Sequence, residues 1–186
     1  MTDTSPLRRL TFEELPAAAR EAVRPRYERL GYLGEVFSLV GNSESSLLAL
    51  LAFADGAGQP ATPVQREVVA LAVSQVNRAL SELYQHEQRA LKVGMSIEDV
   101  AAVESLDPAH PDLDADAAVV LRLAVATARG DWTAARDALA AAGERFGDEV
   151  AAALLMQTGY YVMANAVGHV LDLTPPVPSI FDRDAT

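Results

Sequence analysis

The 186-residue chain has no cysteine. That absence removes disulfides, thiolate nucleophiles, cysteine-bound zinc, iron–sulfur clusters and any thiol peroxidase cycle, since each needs a sulfur the chain does not carry. Positive charge is also scarce: 15 Lys and Arg stand against 26 Asp and Glu, a formal net charge of -11. Such a balance repels nucleic acid and anionic membrane at long range and leaves a small molecule or another protein as the expected partner. No stretch approaches the roughly 20 uninterrupted apolar residues that span a bilayer. The start, MTDTSPLRRLTFEELP, has no apolar core behind its basic residues and does not read as a signal peptide. A soluble, cytoplasmic protein is expected. No strand leads into a glycine-rich turn, so nucleotide-binding fingerprints are missing and no cofactor is called for.

What is present favours helices. The chain is rich in alanine and leucine, β-branched alternation is scarce, and its length suits one globular domain that buries roughly 70 % of its unfolded surface. The expected class is all-α, a bundle around a central antiparallel helix pair. Three segments are expected: an N-terminal helical arm over 1–61, a helical core over 62–173 and a proline-rich tail over 174–186. In the arm, Leu15, Ala19, Val23, Tyr27 and Leu30 fall near one helical face, and Pro16 and Pro25 are expected to break the run into short pieces. Residues 44–55 read as an apolar helix ending at Gly56.

The clearest helix start is Thr62-Pro63-Val64-Gln65, with a threonine cap, proline at the first helical position and a glutamine that completes a capping box. This helix should reach about Asn77, with Val64, Val68, Leu71, Ala72 and Val76 on its apolar face. A second spans roughly 80–92 and stops at Gly94, a suitable left-handed residue. Ser96 and Asp99 cap a short helix to about Glu104. Helices over 115–129, 132–142 and from Asp148 to about Leu171 follow, with Trp132 expected to anchor the second of them.

Within the central pair sit Glu67, Glu82 and His86. Glu82 and His86, at i and i+4, emerge one turn apart on one face. Glu67 is the anomaly on its own helix, because VVALAV follows it directly. Three readings are open for these residues. Glu82 and His86 form an ordinary i, i+4 pair and Glu67 a first-turn partner of the helix dipole; or the three form a facial metal-ligand set; or they form an acid–base site, in which a carboxylate orients an imidazole and two close carboxylates push one another's pKa upward. Arg66 and Arg89 flank the region and read as site cations or as solvated surface. His110 reads as a loop residue, His169 as a favourable C-terminal helix charge, and Tyr160, Tyr161 and Met163 as core or interface.

The stretch from Thr62 to Val103 resembles the core of the carboxymuconolactone decarboxylase and AhpD-like superfamily. In its redox members a glutamate is followed twelve residues later by C-x-x-C-x-x-x-H. Here the corresponding residues are Glu67, then Ala79, Glu82 and His86, so the glutamate and histidine match and both cysteines are replaced. Ala90, Gly94 and Ser96 keep the phrase that follows the histidine. GEVFSLVGNSESSLLALLAFADG resembles the family's preceding helices and YYVMANAVGHVLDL its closing helix.

The departure is informative. In the redox members the two thiols act with the glutamate and histidine as proton relay, a reaction that Ala79 and Glu82 cannot perform. The decarboxylase branch resembles Y-E-W-x-x-H; Ser81-Glu82-Leu83-Tyr84-Gln85-His86 keeps its Glu and His and loses the flanking Tyr and Trp. The resemblance implies a homo-oligomer and Glu67, Glu82 and His86 as catalytic residues. Two functions follow. One is a cofactor-free acid–base enzyme, lyase-like or isomerase-like, on a small carbonyl or lactone compound. The other is a catalytically silent AhpD-like binding or oligomeric scaffold.

Overall fold

The computed structural model describes residues 7–182. Among them there is no strand, and nine helices follow in order. These are α1 (Ala17–Leu30), α2 (Glu35–Val40), α3 (Glu44–Gly56), α4 (Pro63–Asn77), α5 (Leu80–Lys92), α6 (Ile97–Glu104), α7 (Ala115–Ala128), α8 (Trp132–Phe146) and α9 (Asp148–Val170). The described residues divide into two compact units, one of residues 7–56 with 167–173, the other of residues 57–166 with 174–182.

In the first unit α1 packs against α3 around Leu10, Phe12, Leu15, Ala19, Val23, Leu47 and Leu51. Phe12 stacks on Tyr27 with ring centroids 4.1 Å apart. Proline at the N-cap of α1 offers no side-chain acceptor, and Glu44 of α3 substitutes by accepting from the Ala18 N–H at 3.1 Å. That bond satisfies one of the helix's orphan donors. An ion pair between Arg26 and Asp55 also ties the two helices. The expected break at Pro25 does not occur: α1 runs through it as a single 14-residue helix. Pro25 is exposed, so water can take over the carbonyl that its missing N–H leaves free. Leu30 is also off the buried face, at 44 % exposure.

The second unit is built around α4, which touches α5, α6 and α7. From Glu67 to Ser74 every residue of α4 is buried. A helix apolar all round needs neighbours all round, and α4 has them. Its start carries the expected box: the Gln65 N–H donates to Thr62 Oγ1 at 3.2 Å and the Thr62 N–H to Gln65 Oε1 at 2.8 Å. Ser96 and Asp99 form a second box, and Asp114 and Asp131 cap α7 and α8. After Val93 the chain reverses at Gly94, whose φ of 97° suits only glycine without strain.

Two expectations fail here. Helix α8 continues past Gly143 to Phe146, because Arg145 anchors its last turn to Asp116 of α7 at 2.7 Å and Phe146 packs on the core. Trp132 does not anchor it; the indole is 63 % exposed and lies along Gly130. Helix α9, at 23 residues, is the one described helix long and apolar enough to cross a membrane, yet Ala151, Leu154 and Tyr161 on its inner side belong to the core of this unit.

Candidate active site

Glu67, Glu82 and His86 converge. Helices α4 and α5 are joined by only Arg78 and Ala79, with Arg78 in the left-handed region, so the chain folds back and brings position 67 opposite position 86. His86 Nδ1–H donates to Glu67 Oε2 at 2.6 Å, and both residues are 3 % exposed. On the other edge of the ring, Nε2 stands 3.6 Å from Glu82 Oε2. The order is Glu67, imidazole, Glu82, running from the interior of the unit toward solvent, since the Glu82 side chain is 23 % exposed.

Glu67 is thus not a first-turn partner of the helix dipole. It lies beyond the first turn of α4, which carries no acid, and its carboxylate is spent on side chains. While Oε2 meets His86, Oε1 meets Arg89 Nη2 at 3.3 Å. Nor do the two carboxylates face one point as a facial metal set would: they occupy opposite edges of the imidazole. Tyr161 of α9 closes the site from behind, edge-on to His86 with ring centroids 5.0 Å apart, and Tyr160 lies edge-on to Tyr161 in turn.

Electrostatics follow from this packing. Burial alone would depress the imidazole of His86, but hydrogen bonding to Glu67, the approach of Glu82 and the charge of Glu67 outweigh it and hold His86 above its ordinary value; Arg89 pulls the other way. Burial would raise Glu67, and the hydrogen bond and charge of His86 with the charges of Arg89 and Arg66 hold it below. Both shifts favour the charged forms, a carboxylate at Glu67 against an imidazolium at His86. Glu67 is not the carboxyl pushed upward that two close acids would produce. Tyr161 is raised well above its ordinary value, chiefly by burial, and stays a neutral phenol.

The sequence left Arg89 open between site cation and solvated surface and read Tyr161 as core or interface, so neither was placed in the site. Arg89 had a signal, because 82, 86 and 89 lie at intervals of four and three on one helix. Tyr161 had none: it is 75 residues from His86 and one of two adjacent tyrosines on an apolar helix.

Residues 46–110 match the Carboxymuconolactone decarboxylase family, which bears out the resemblance seen in the Thr62–Val103 motif. The fold is AhpD-like. It is similar to an uncharacterized peroxidase-related protein from Ralstonia eutropha JMP134 with an alkylhydroperoxidase AhpD core, at 17 % identity and a TM-score of 0.76, covering 94 % of each chain. It is also similar to an uncharacterized peroxidase-related protein from Silicibacter sp. TM1040, at 20 % identity and a TM-score of 0.72, covering 94 % of this chain and 95 % of that one. No curated protein matches the sequence.

Proposed function

We propose that this chain, AhpD-like in fold and matched to the carboxymuconolactone decarboxylase family over its central segment, is a cofactor-free acid–base catalyst of lyase type. Its substrate is a small carbonyl or lactone compound. The observation that carries the reading is the buried 2.6 Å contact between His86 Nδ1 and Glu67 Oε2, which fixes the ring and its tautomer and leaves Nε2 turned toward Glu82. A 3.6 Å separation is too long for a good hydrogen bond, so the Nε2 proton is available for transfer.

For a decarboxylation the balance is simple. The bond from carbon to the departing carboxylate breaks, its electron pair moves into the adjacent carbonyl as an enolate, carbon dioxide leaves, and His86 Nε2–H protonates the carbon. Glu82, the partly exposed member, then passes a proton from solvent to the neutral imidazole. Glu67 orients the ring and stabilises its charged form throughout. General acid–base catalysis of this kind contributes about 100-fold or more to a rate. The thiol chemistry of redox relatives is absent, since position 79 is alanine and position 82 glutamate.

The silent-scaffold reading has one observation in its favour: at 3 % exposure His86 and Glu67 also serve as an internal strut. Wild type and His86→Gln assayed for carbon dioxide release from a panel of carboxylated lactones and β-keto acids separate the two. Turnover by the wild type that falls about 100-fold or more in a folded variant supports the enzyme. No turnover, with the His86 ring resonances unmoved by every compound, leaves the scaffold. We further propose a homo-oligomer, which light scattering tests; its support is the outward side of α9, where Met156 is 53 % exposed.

A further inference from the structure

Between Glu149 and His169 helix α9 carries no charged residue. Apolar contact is non-directional, so burial alone leaves the register of such a helix against its neighbour loosely set. Two buried amides break the apolar pattern. Gln157 and Asn165, 7 % and 0 % exposed, stand two turns apart on one face, with Tyr161 midway between them. Gln157 Nε2 donates to the Arg66 backbone carbonyl at 3.3 Å, and Asn165 Nδ2 to Ser74 Oγ at 3.5 Å. Each bond joins positions 91 residues apart, so α9 lies along α4 in the same direction and keeps one register over both turns. The same offset sets Tyr161 level with Ala70, whose side chain ends at Cβ.

Stability does not explain these amides. Each uses its NH2 on α4 and leaves its carbonyl oxygen, Gln157 Oε1 and Asn165 Oδ1, buried with no hydrogen-bond partner among the described residues. A buried acceptor without a partner lowers stability, and an apolar side chain of like size would not. Thr158, buried on the same helix, is satisfied locally: its Oγ1 donates to the Leu154 carbonyl of α9 itself at 2.8 Å. Space is also kept for the Gln157 amide. Gly58 does not have a positive φ, so its backbone does not call for glycine, but a Cβ there would lie 2.7 Å from Gln157 Oε1.

We propose that Gln157 and Asn165 are positioning residues, which fix the register of α9 on α4 and thereby hold the Tyr161 ring against His86. Bonds of 3.3 and 3.5 Å are long and add little attraction, but they are directional. A buried polar contact of this kind selects one register among those that apolar packing allows, at a cost in stability. The Tyr161 ring, edge-on to the imidazole with centroids 5.0 Å apart, is where that register takes effect. Turning α9 by one residue rotates position 161 by about 100° and takes the ring off His86. With the ring in place, one side of the imidazole is covered and its bond to Glu67 stays buried. The catalytic meaning of this rests on the acid–base reading of His86; the register itself does not.

The test is the nuclear Overhauser cross-peak between the Tyr161 and His86 ring protons, read by NMR in the full chain. Gln157→Met and Asn165→Leu, apolar and close in size, are made singly and together. The denaturation midpoint should stay level or rise, because unpartnered buried acceptors are gone. In the double variant the cross-peak should be lost and the pH midpoint of the His86 ring displaced. Thr158→Val, which removes a buried hydroxyl bonded only within α9, should leave both as in wild type. A cross-peak of wild-type strength in the double variant, an equal loss in Thr158→Val, or a marked fall in the denaturation midpoint of the amide variants overturns the proposal. Loss of the cross-peak in a folded double variant, alongside a wild type that turns over none of the lactones and keto acids, upholds the register while the acid–base reading falls.

Discussion

Glu67 Oε2 and His86 Nδ1 stand 2.6 Å apart, 19 residues apart in sequence and nearly sealed from water. Each needs the other. An isolated buried carboxylate or imidazolium is costly, and the pair survives because each supplies the other's counter-charge and hydrogen bond. Arg89 occupies the remaining oxygen of Glu67, so the carboxylate serves two cations at once.

The His86 ring should titrate above the ordinary histidine value of about 6.5. In Glu67→Gln the strongest opposing influence is lost and burial governs, so the same resonance should shift below that value. Histidine ring NMR across pH measures both. An unchanged midpoint in Glu67→Gln would show that the contact carries no charge.

Stability should follow pH with a definite sign. His86 is raised on folding, so its contribution is fully present below about 6.5 and is lost as pH rises through the folded value. Glu67 is lowered, so its contribution is present above about 4.3 and is lost as pH falls through the folded value. Between those limits the pair contributes most. Glu67→Ala, which strands a buried imidazole, should cost about 3 kcal/mol at pH 6 by denaturant unfolding and lose this part of the pH profile.

Arg89→Leu should raise His86 further, because the guanidinium is the cation that opposes its protonation, and should raise Glu67 as well. The guanidinium is more than half exposed, so stability should barely move. A separate readout of the two effects comes from comparing the ring titration with the unfolding curve.

Gly41→Ala should destabilise the first unit by about 1–3 kcal/mol. A Cβ there would meet Leu15 Cδ2 at 2.3 Å and the Phe37 carbonyl oxygen at 2.7 Å, and the latter is backbone that cannot step aside cheaply. Thermal unfolding with near-ultraviolet dichroism follows it.

Removing one cap should cost less. Thr62→Ala deletes the acceptor for the Gln65 N–H and should reduce stability by about 1 kcal/mol. A far larger loss in the denaturation midpoint would mean that Thr62 does more than cap.

Local signals in the sequence were strong wherever a structure closes within a few residues. Thr62 with Gln65 and Ser96 with Asp99 marked helix starts, and Gly94 marked a reversal, because caps and turns are made by neighbours. Pro25 misled for the complementary reason: its effect depends on whether water reaches the carbonyl it frees, and that is a matter of burial. The expected helix end at residue 142 fell short likewise, since the Arg145–Asp116 ion pair in the last turn of α8 reaches to another helix.

By itself, then, the sequence determined the all-helical class, the helix starts and the exclusion of every sulfur-based reaction, all consequences of composition and short-range geometry. It also placed Glu82 and His86 on one face, because the helical period does so wherever the helix lies. Only tertiary structure decided that Glu67 faces His86 rather than the end of its own helix, that Arg89 and Tyr161 border the pair, and that His86 is held above its ordinary value. Those outcomes turn on desolvation and on distances between helices, which depend on packing.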